Sequence, residues 1–128
     1  MNPLTYTGDS EIFYKGAITG NGISVQGNLL AKEDELKAIF DAGVQAQNHS
    51  LSIYEILMSA LIAGSKAGGD KRCGEQKAQS AFIVLTKPED DEKNPYMNLS
   101  GYRTTKGRGQ CSCNSALRIK KVDKKKGY

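Results

Sequence analysis

The stretch AITGNGISVQGNLLAKEDELKAIFDAGVQ, residues 17–45, decides the fold. Gly20-Asn21-Gly22 supplies residues that tolerate a left-handed backbone, so the chain turns there between two short strands. Ile23 and Val25 alternate with Ser24 and Gln26, the period of a half-buried strand. Beyond Asn28 the period changes. Leu36, Ile39, Phe40, Gly43 and Val44 recur at i, i+3, i+4, i+7 and i+8, with Leu29 one heptad earlier. Lys32, Glu33, Asp34, Glu35 and Lys37 lie mostly on the other side, which predicts an amphipathic helix. Its acids cluster near the start, where the helix dipole favours negative charge.

Working outward, Ser52 and Glu55 form an S-x-x-E capping box that opens a second helix. Ile53, Ile56, Leu57, Ala60, Leu61 and Gly64 give that helix a broad apolar face, and Gly68-Gly69 ends it. AQSAFIVLT, residues 78–86, reads as a strand buried on both faces at its centre. PEDDEKNP is a solvated acidic loop, and YMNL begins another strand. The order strand, strand, helix, helix, strand, strand predicts an α+β arrangement.

The 128 residues suit one ordinary domain. The net charge of +4 is unevenly spread: from Lys106 onward eight basic residues meet one acid, Asp123, whereas residues 1–105 hold ten basic and thirteen acidic residues. A nucleic-acid role would therefore rest on the tail alone, and it ranks last among the functions considered. No apolar run is long enough to span a membrane, and MNPLTYTGDS lacks the basic start and apolar core of a signal peptide. The compartment stays open. Cys73, Cys111 and Cys113 form no disulfide ladder. A structural zinc normally takes four ligands, and only Cys73 and His49 could join the CxC pair, so no metal or other cofactor is expected.

Three stretches, YTGDSEIFYKGAITGNGISVQGNLLA, AGSKAGGDKRCGEQKAQSAF and NPYMNL, together resemble a bacterial family of unknown function, number 1028 among such domains. The matching positions are Thr7-Gly8, Gln26-Gly27-Asn28-Leu29, Gly68-Gly69-Asp70 with Arg72, and Gln79-Ser80-Ala81, over roughly residues 4–99. The resemblance implies an N-terminal-nucleophile-hydrolase-like fold, a four-layer α-β-β-α sandwich whose N-terminal half precedes Met1. It also implies a cysteine in some relatives near Glu11, able to partner the one at Cys73. The expected division is a partial sandwich domain over 1–99 and an atypical basic tail over 100–128. Relatives end instead with a strand and a KGG-NAV-LL helix. Back-translated with degenerate codons and read one base further on, the segment from Ser100 permits VVIGQQKGGVNAVATLL, so a frame slip near Ser100 is one expectation for the tail. The other is a solvated basic end.

A nucleophile of the implied type is a first-residue Thr, Ser or Cys, and Met1-Asn2 supplies none, so no catalytic residue is expected in this chain. Gln26, Gly27 and Asn28 are the leading ligand-binding or oxyanion candidates, because a strand-glycine-helix corner exposes backbone N–H groups at the positive end of a helix. The plain alternative is a turn with Asn28 as helix N-cap. Asp70 and Arg72, after the second helix, either cap helix ends or bridge to the neighbouring loop, or else orient a carboxylate or amide ligand, Arg72 as a forked donor. Ser80 is expected as a strand residue and His49 as a solvated loop residue. Cys73, with Lys71, Arg72 and Lys77 nearby in sequence, reads as a reactive thiol.

The expected function is thus an uncharacterised, amide-hydrolase-like family member, inactive as this chain alone. The alternative is a non-catalytic binding or surface-associated module. Expected partners are the missing half of the domain, a small amide or peptide-like ligand and further copies of the chain, but no membrane. Open strand edges predict dimerisation or aggregation.

Overall fold

The computed structural model describes residues 4–12, 14–91, 93–102 and 118–121. The chain divides into two compact units, residues 1–78 and 79–128. The element order is β1 (Gly16–Gly20), β2 (Ile23–Gly27), α1 (Glu35–Asn48), α2 (Ile53–Ala67), a 3-10 helix (Lys71–Gln76), β3 (Ser80–Leu85), β4 (Met97–Tyr102) and β5 (Arg118–Lys121). It is an α+β fold with two separate antiparallel sheets, β1-β2 and β3-β4-β5.

In the first unit, Gly20 pairs with Ile23, which leaves a two-residue turn. Asn21 and Gly22 take φ of 51° and 73°, the primed turn whose twist matches that of paired strands. Exposure alternates along both strands, with Ile18, Ile23 and Val25 on the sheltered face. That face meets α1. Added Cβ atoms at Gly16, Gly20 and Gly43 would stand 3.3 Å from Leu36, 3.2 Å from Phe40 and 3.3 Å from Ile23, so glycines let helix and hairpin approach closely. Leu36, Phe40 and Gly43 form this face, while Ile39 faces α2 at Gly64. The helix α2 packs on α1 and, among the described residues, not on the strands. Leu36 is 7% exposed, and burial of a leucine stabilises by about 1.5–3 kcal/mol.

Helix α1 starts later than the periodicity predicts. Leu29, expected one heptad before Leu36 on its apolar face, has a left-handed φ of 56°, and the helix opens at Glu35. Backbone pairing decides this: the N–H groups of Leu29, Leu30 and Ala31 donate to the carbonyls of Ile12, Tyr14 and Gly69 and hold the segment out of the helix. Helix α2 begins and ends as expected, but Ile53 and Leu61 of its expected apolar face are exposed. Ser52 and Glu55 close a reciprocal capping box, and Gly68 caps the end, with Gly69 at a φ of 71°.

In the second unit, β3 pairs with β4 so that Ile83 faces Leu99 and Leu85 faces Met97. Among the described residues only one face of β3 is buried. Ile83 and Leu85 are buried, but Phe82 is 69% and Val84 43% exposed, contrary to the expectation of a strand buried on both sides. The apolar run carried no alternation by which the two faces could be told apart. Arg118–Lys121, within the stretch expected as a solvated basic end, pairs with β4 as β5. The remainder of that tail, including Cys111 and Cys113, lies outside the described residues.

The junction of α1 and α2 turns on one residue. The Leu51 N–H reaches the Ala46 carbonyl at 3.2 Å, and the Ser50 N–H reaches that of Gln47 at 2.9 Å, a Schellman closure. Its left-handed position is held by Ser50, at a φ of 55°, where glycine carries no Cβ penalty. Ser50→Gly should raise stability by about 1 kcal/mol and Ser50→Val should lower it, measured by urea unfolding.

Candidate functional site

Two glycine-containing segments separated in sequence lie side by side. Leu30 and Asp70 form an isolated antiparallel bridge. The Ala31 N–H donates to the Gly69 carbonyl at 3.0 Å, and the Lys71 N–H donates to the Leu29 carbonyl at 2.8 Å. On its other side the same segment takes the Ile12 and Tyr14 carbonyls at 3.2 and 3.1 Å. The structure therefore joins residues 29–31 to residues 69–71 in one corner, and these lie next in the chain to the candidates Gln26, Gly27 and Asn28 and include or adjoin Asp70 and Arg72.

Glycine is required at the join. A Cβ on Gly69 would stand 2.2 Å from the Lys77 carbonyl oxygen, and its φ of 71° disfavours a side chain in any case. The adjacent Asp70 N–H donates to that same carbonyl at 2.6 Å. Asp70 then caps the 3-10 helix and takes three bonds from Arg72: backbone N–H at 2.9 Å, Nε at 2.9 Å and Nη2 at 2.5 Å. The bidentate fork holds the Asp70 carboxyl below its ordinary value, chiefly through the Arg72 side-chain bonds, against the opposing effect of burial. The guanidinium itself is 63% exposed, with N–H groups to spare beyond those given to Asp70.

Asn28 is exposed and donates from Nδ2 to the Glu11 carboxylate. Glu11 sits on a turn pinned by Lys15, whose Nζ donates to the Gly8 and Asp9 carbonyls at 2.9 and 2.5 Å. Gln26 is exposed at the end of β2. The premise of a helix N-terminus at Gly27 and Asn28 does not hold, because α1 opens at Glu35 after an extended bridge. Asn28 is not its N-cap. No helix dipole is aimed at this corner from α1, so the oxyanion argument loses its geometric footing.

Under the corner lies a residue that periodicity placed on the solvated side. Glu35, the first residue of α1, is 2% exposed, and its Oε2 has no hydrogen-bond partner. It sits against α2 where Gly64 and Gly68, four residues apart, leave room: a Cβ on Gly68 would stand 3.2 Å from Oε2. Burial pushes its carboxyl above the ordinary value. The backbone amides of Ala31, Gly69 and Lys32 pull the other way, and the nearby Asp34 charge adds to the rise. The signal for it was present as the Gly-x-x-x-Gly groove of Gly64 and Gly68, which admits a side chain from a facing helix.

Other sequence candidates are placed elsewhere. The His49 ring bonds the Gln45 carbonyl at 2.8 Å, at the end of α1. Ser80 opens β3, as expected. Cys73 is 4% exposed and disulfide-bonded, so it is not the reactive thiol that its basic neighbours suggested. Among the described residues no group of three or more His, Cys, Asp or Glu is placed to hold a metal, and no helix is long and apolar enough to cross a membrane.

Comparison with known families matches residues 1–107 to the Family of unknown function (DUF1028). No curated protein and no solved structure matches the chain.

The buried carboxyl gives the corner a pH dependence of definite sign. A folded-state value above the unfolded one means that the protonated form is favoured by folding, so stability is full below the ordinary carboxyl range and is lost as pH rises through the elevated value. Glu35→Gln should raise the urea midpoint at pH 7, leave it nearly unchanged at pH 4, and flatten the slope between them.

Proposed function

The chain belongs to the DUF1028 family, and from that premise we propose that its 26–31/68–72 corner binds a small amide- or peptide-like ligand without turning it over. The observation that carries this is the exposed Asp70–Arg72 fork mounted on backbone that glycine and the Leu30 bridge hold fixed. An amide offers one carbonyl acceptor and one N–H donor. The free N–H groups of Arg72 answer the first, and the carboxylates of Asp70 and Glu11 answer the second. Asn28 supplies both kinds of group beside Glu11. Because the cation and anion of the fork cancel, the corner favours a neutral polar group over a free carboxylate.

The wider proposal, an amide hydrolase on a four-layer sandwich, has the family membership and the α+β order in its support. The chemistry of the described site residues favours binding instead. Ser52 and His49 serve helix ends, and neither lies in the corner.

Titration of the full chain with N-acetylglycinamide, followed by amide NMR, tests this. Shifts confined to residues 27–31 and 69–72, weakened about tenfold by Arg72→Ala in a folded variant, are expected. Scattered shifts, or none, would overturn ligand binding at the corner. Appearance of the hydrolysed acid in the same sample would overturn the non-catalytic assignment.

A further inference from the structure

We propose that the outer edge of β3 pairs antiparallel with β3 of a second copy of this chain, about a two-fold axis at Ile83. Two three-stranded sheets then become one continuous sheet. Strand order makes β3 an edge among the described residues. Exposed edges are normally blunted by charge, proline or a bulge. Ser80–Leu85, SAFIVL, contains neither charge nor proline, and its register with β4 runs unbroken from Ser80 to Leu85. Its uncovered face carries Phe82 and Val84, 69% and 43% exposed. Their neighbours across β4 are Ser100 and Asn98, which give these two side chains no apolar partner within the sheet.

Self-pairing supplies one. Directly opposed residues of an antiparallel pair share a face, so a two-fold at Ile83 sets Phe82 opposite Val84 of the second copy and Val84 opposite its Phe82. Ala81 and Leu85 are matched on the other face in the same way. A slip by one residue would set the covered face of one copy against the open face of the other. A slip by two would match Phe82 with itself and Val84 with Ser80, or Val84 with itself and Phe82 with Thr86. Only the register centred on Ile83 gives both large apolar residues an apolar partner.

The order of charges along the chain agrees with an antiparallel approach: residues 70–77, before the strand, hold three basic and two acidic residues, and residues 87–93, after it, hold two basic and four acidic ones.

Sedimentation equilibrium of the full chain reads the dimer directly, with far-UV circular dichroism as the check that each variant is folded. Phe82→Lys and Val84→Glu, each made alone, should weaken dimerisation about tenfold, because each removes both symmetry-related apolar pairs. Mixing the two variant chains should restore a heterodimer, since the introduced lysine then faces the introduced glutamate while Phe82 and Val84 meet on the other side. A wild-type chain that stays monomeric through the micromolar range would overturn the proposal, as would a dimer indifferent to both variants. A mixture that fails to reassociate while each variant is folded would overturn the Ile83-centred pairing.

Discussion

The first unit depends on one short segment, Leu29–Ala31, held by backbone hydrogen bonds on both of its sides. Ile12 and Tyr14 accept from it on one side, and Gly69 and Lys71 exchange bonds with it on the other. That clamp shortens α1, forces Leu29 into a left-handed conformation and fixes where the chain leaves α2. It works only because Gly69 has no Cβ to strike the Lys77 carbonyl. The desolvated backbone groups are satisfied pairwise, so the corner is rigid without needing side-chain packing of its own.

Most helical and hairpin structure was legible in the sequence because its determinants are local. Asn21-Gly22 defines the turn, Ser52 and Glu55 the start of α2, and Gly68-Gly69 its end, each through bonds to residues a few positions away. What was not legible depends on distant pairing. Leu29 fits the heptad of α1, yet bonds from Ile12, Tyr14 and Gly69 outweigh a single turn of helix. Glu35 fits a polar face by periodicity, yet faces α2 because Gly64 and Gly68 open a groove there. For the candidate site, Asp70 and Arg72 were chosen for their chemistry, and their mutual fork follows from spacing. Their placement beside the Leu29–Ala31 segment comes with the Leu30–Asp70 bridge, which no local pattern announces.

The position of Glu35 also explains why the corner carries its charged fork outside and its cost inside. A carboxylate with an orphaned oxygen disfavours folding when charged. The three backbone amides that oppose its desolvation include those of Ala31 and Gly69, members of the clamp itself. Loss of the charge therefore relieves a penalty and removes an attraction at the same place. Desolvation is the larger effect, which fixes the sign at neutral pH. The exposed Asp70–Arg72 fork stands apart from this coupling: its pairing lowers the Asp70 carboxyl, so it persists from neutral pH down to below the ordinary carboxyl range.

Apolar burial is thin in the described residues. Five hydrophobic residues count as buried, Leu36, Ala46, Cys73, Ile83 and Leu85, and no side chain is completely enclosed. Backbone pairing and helix closure consequently carry an unusual share of the order. Such structure is cooperative along each clamp or ladder but gains little from a shared interior, so an uncovered strand like β3 has more to gain from a partner than the edge of a well-filled sheet would.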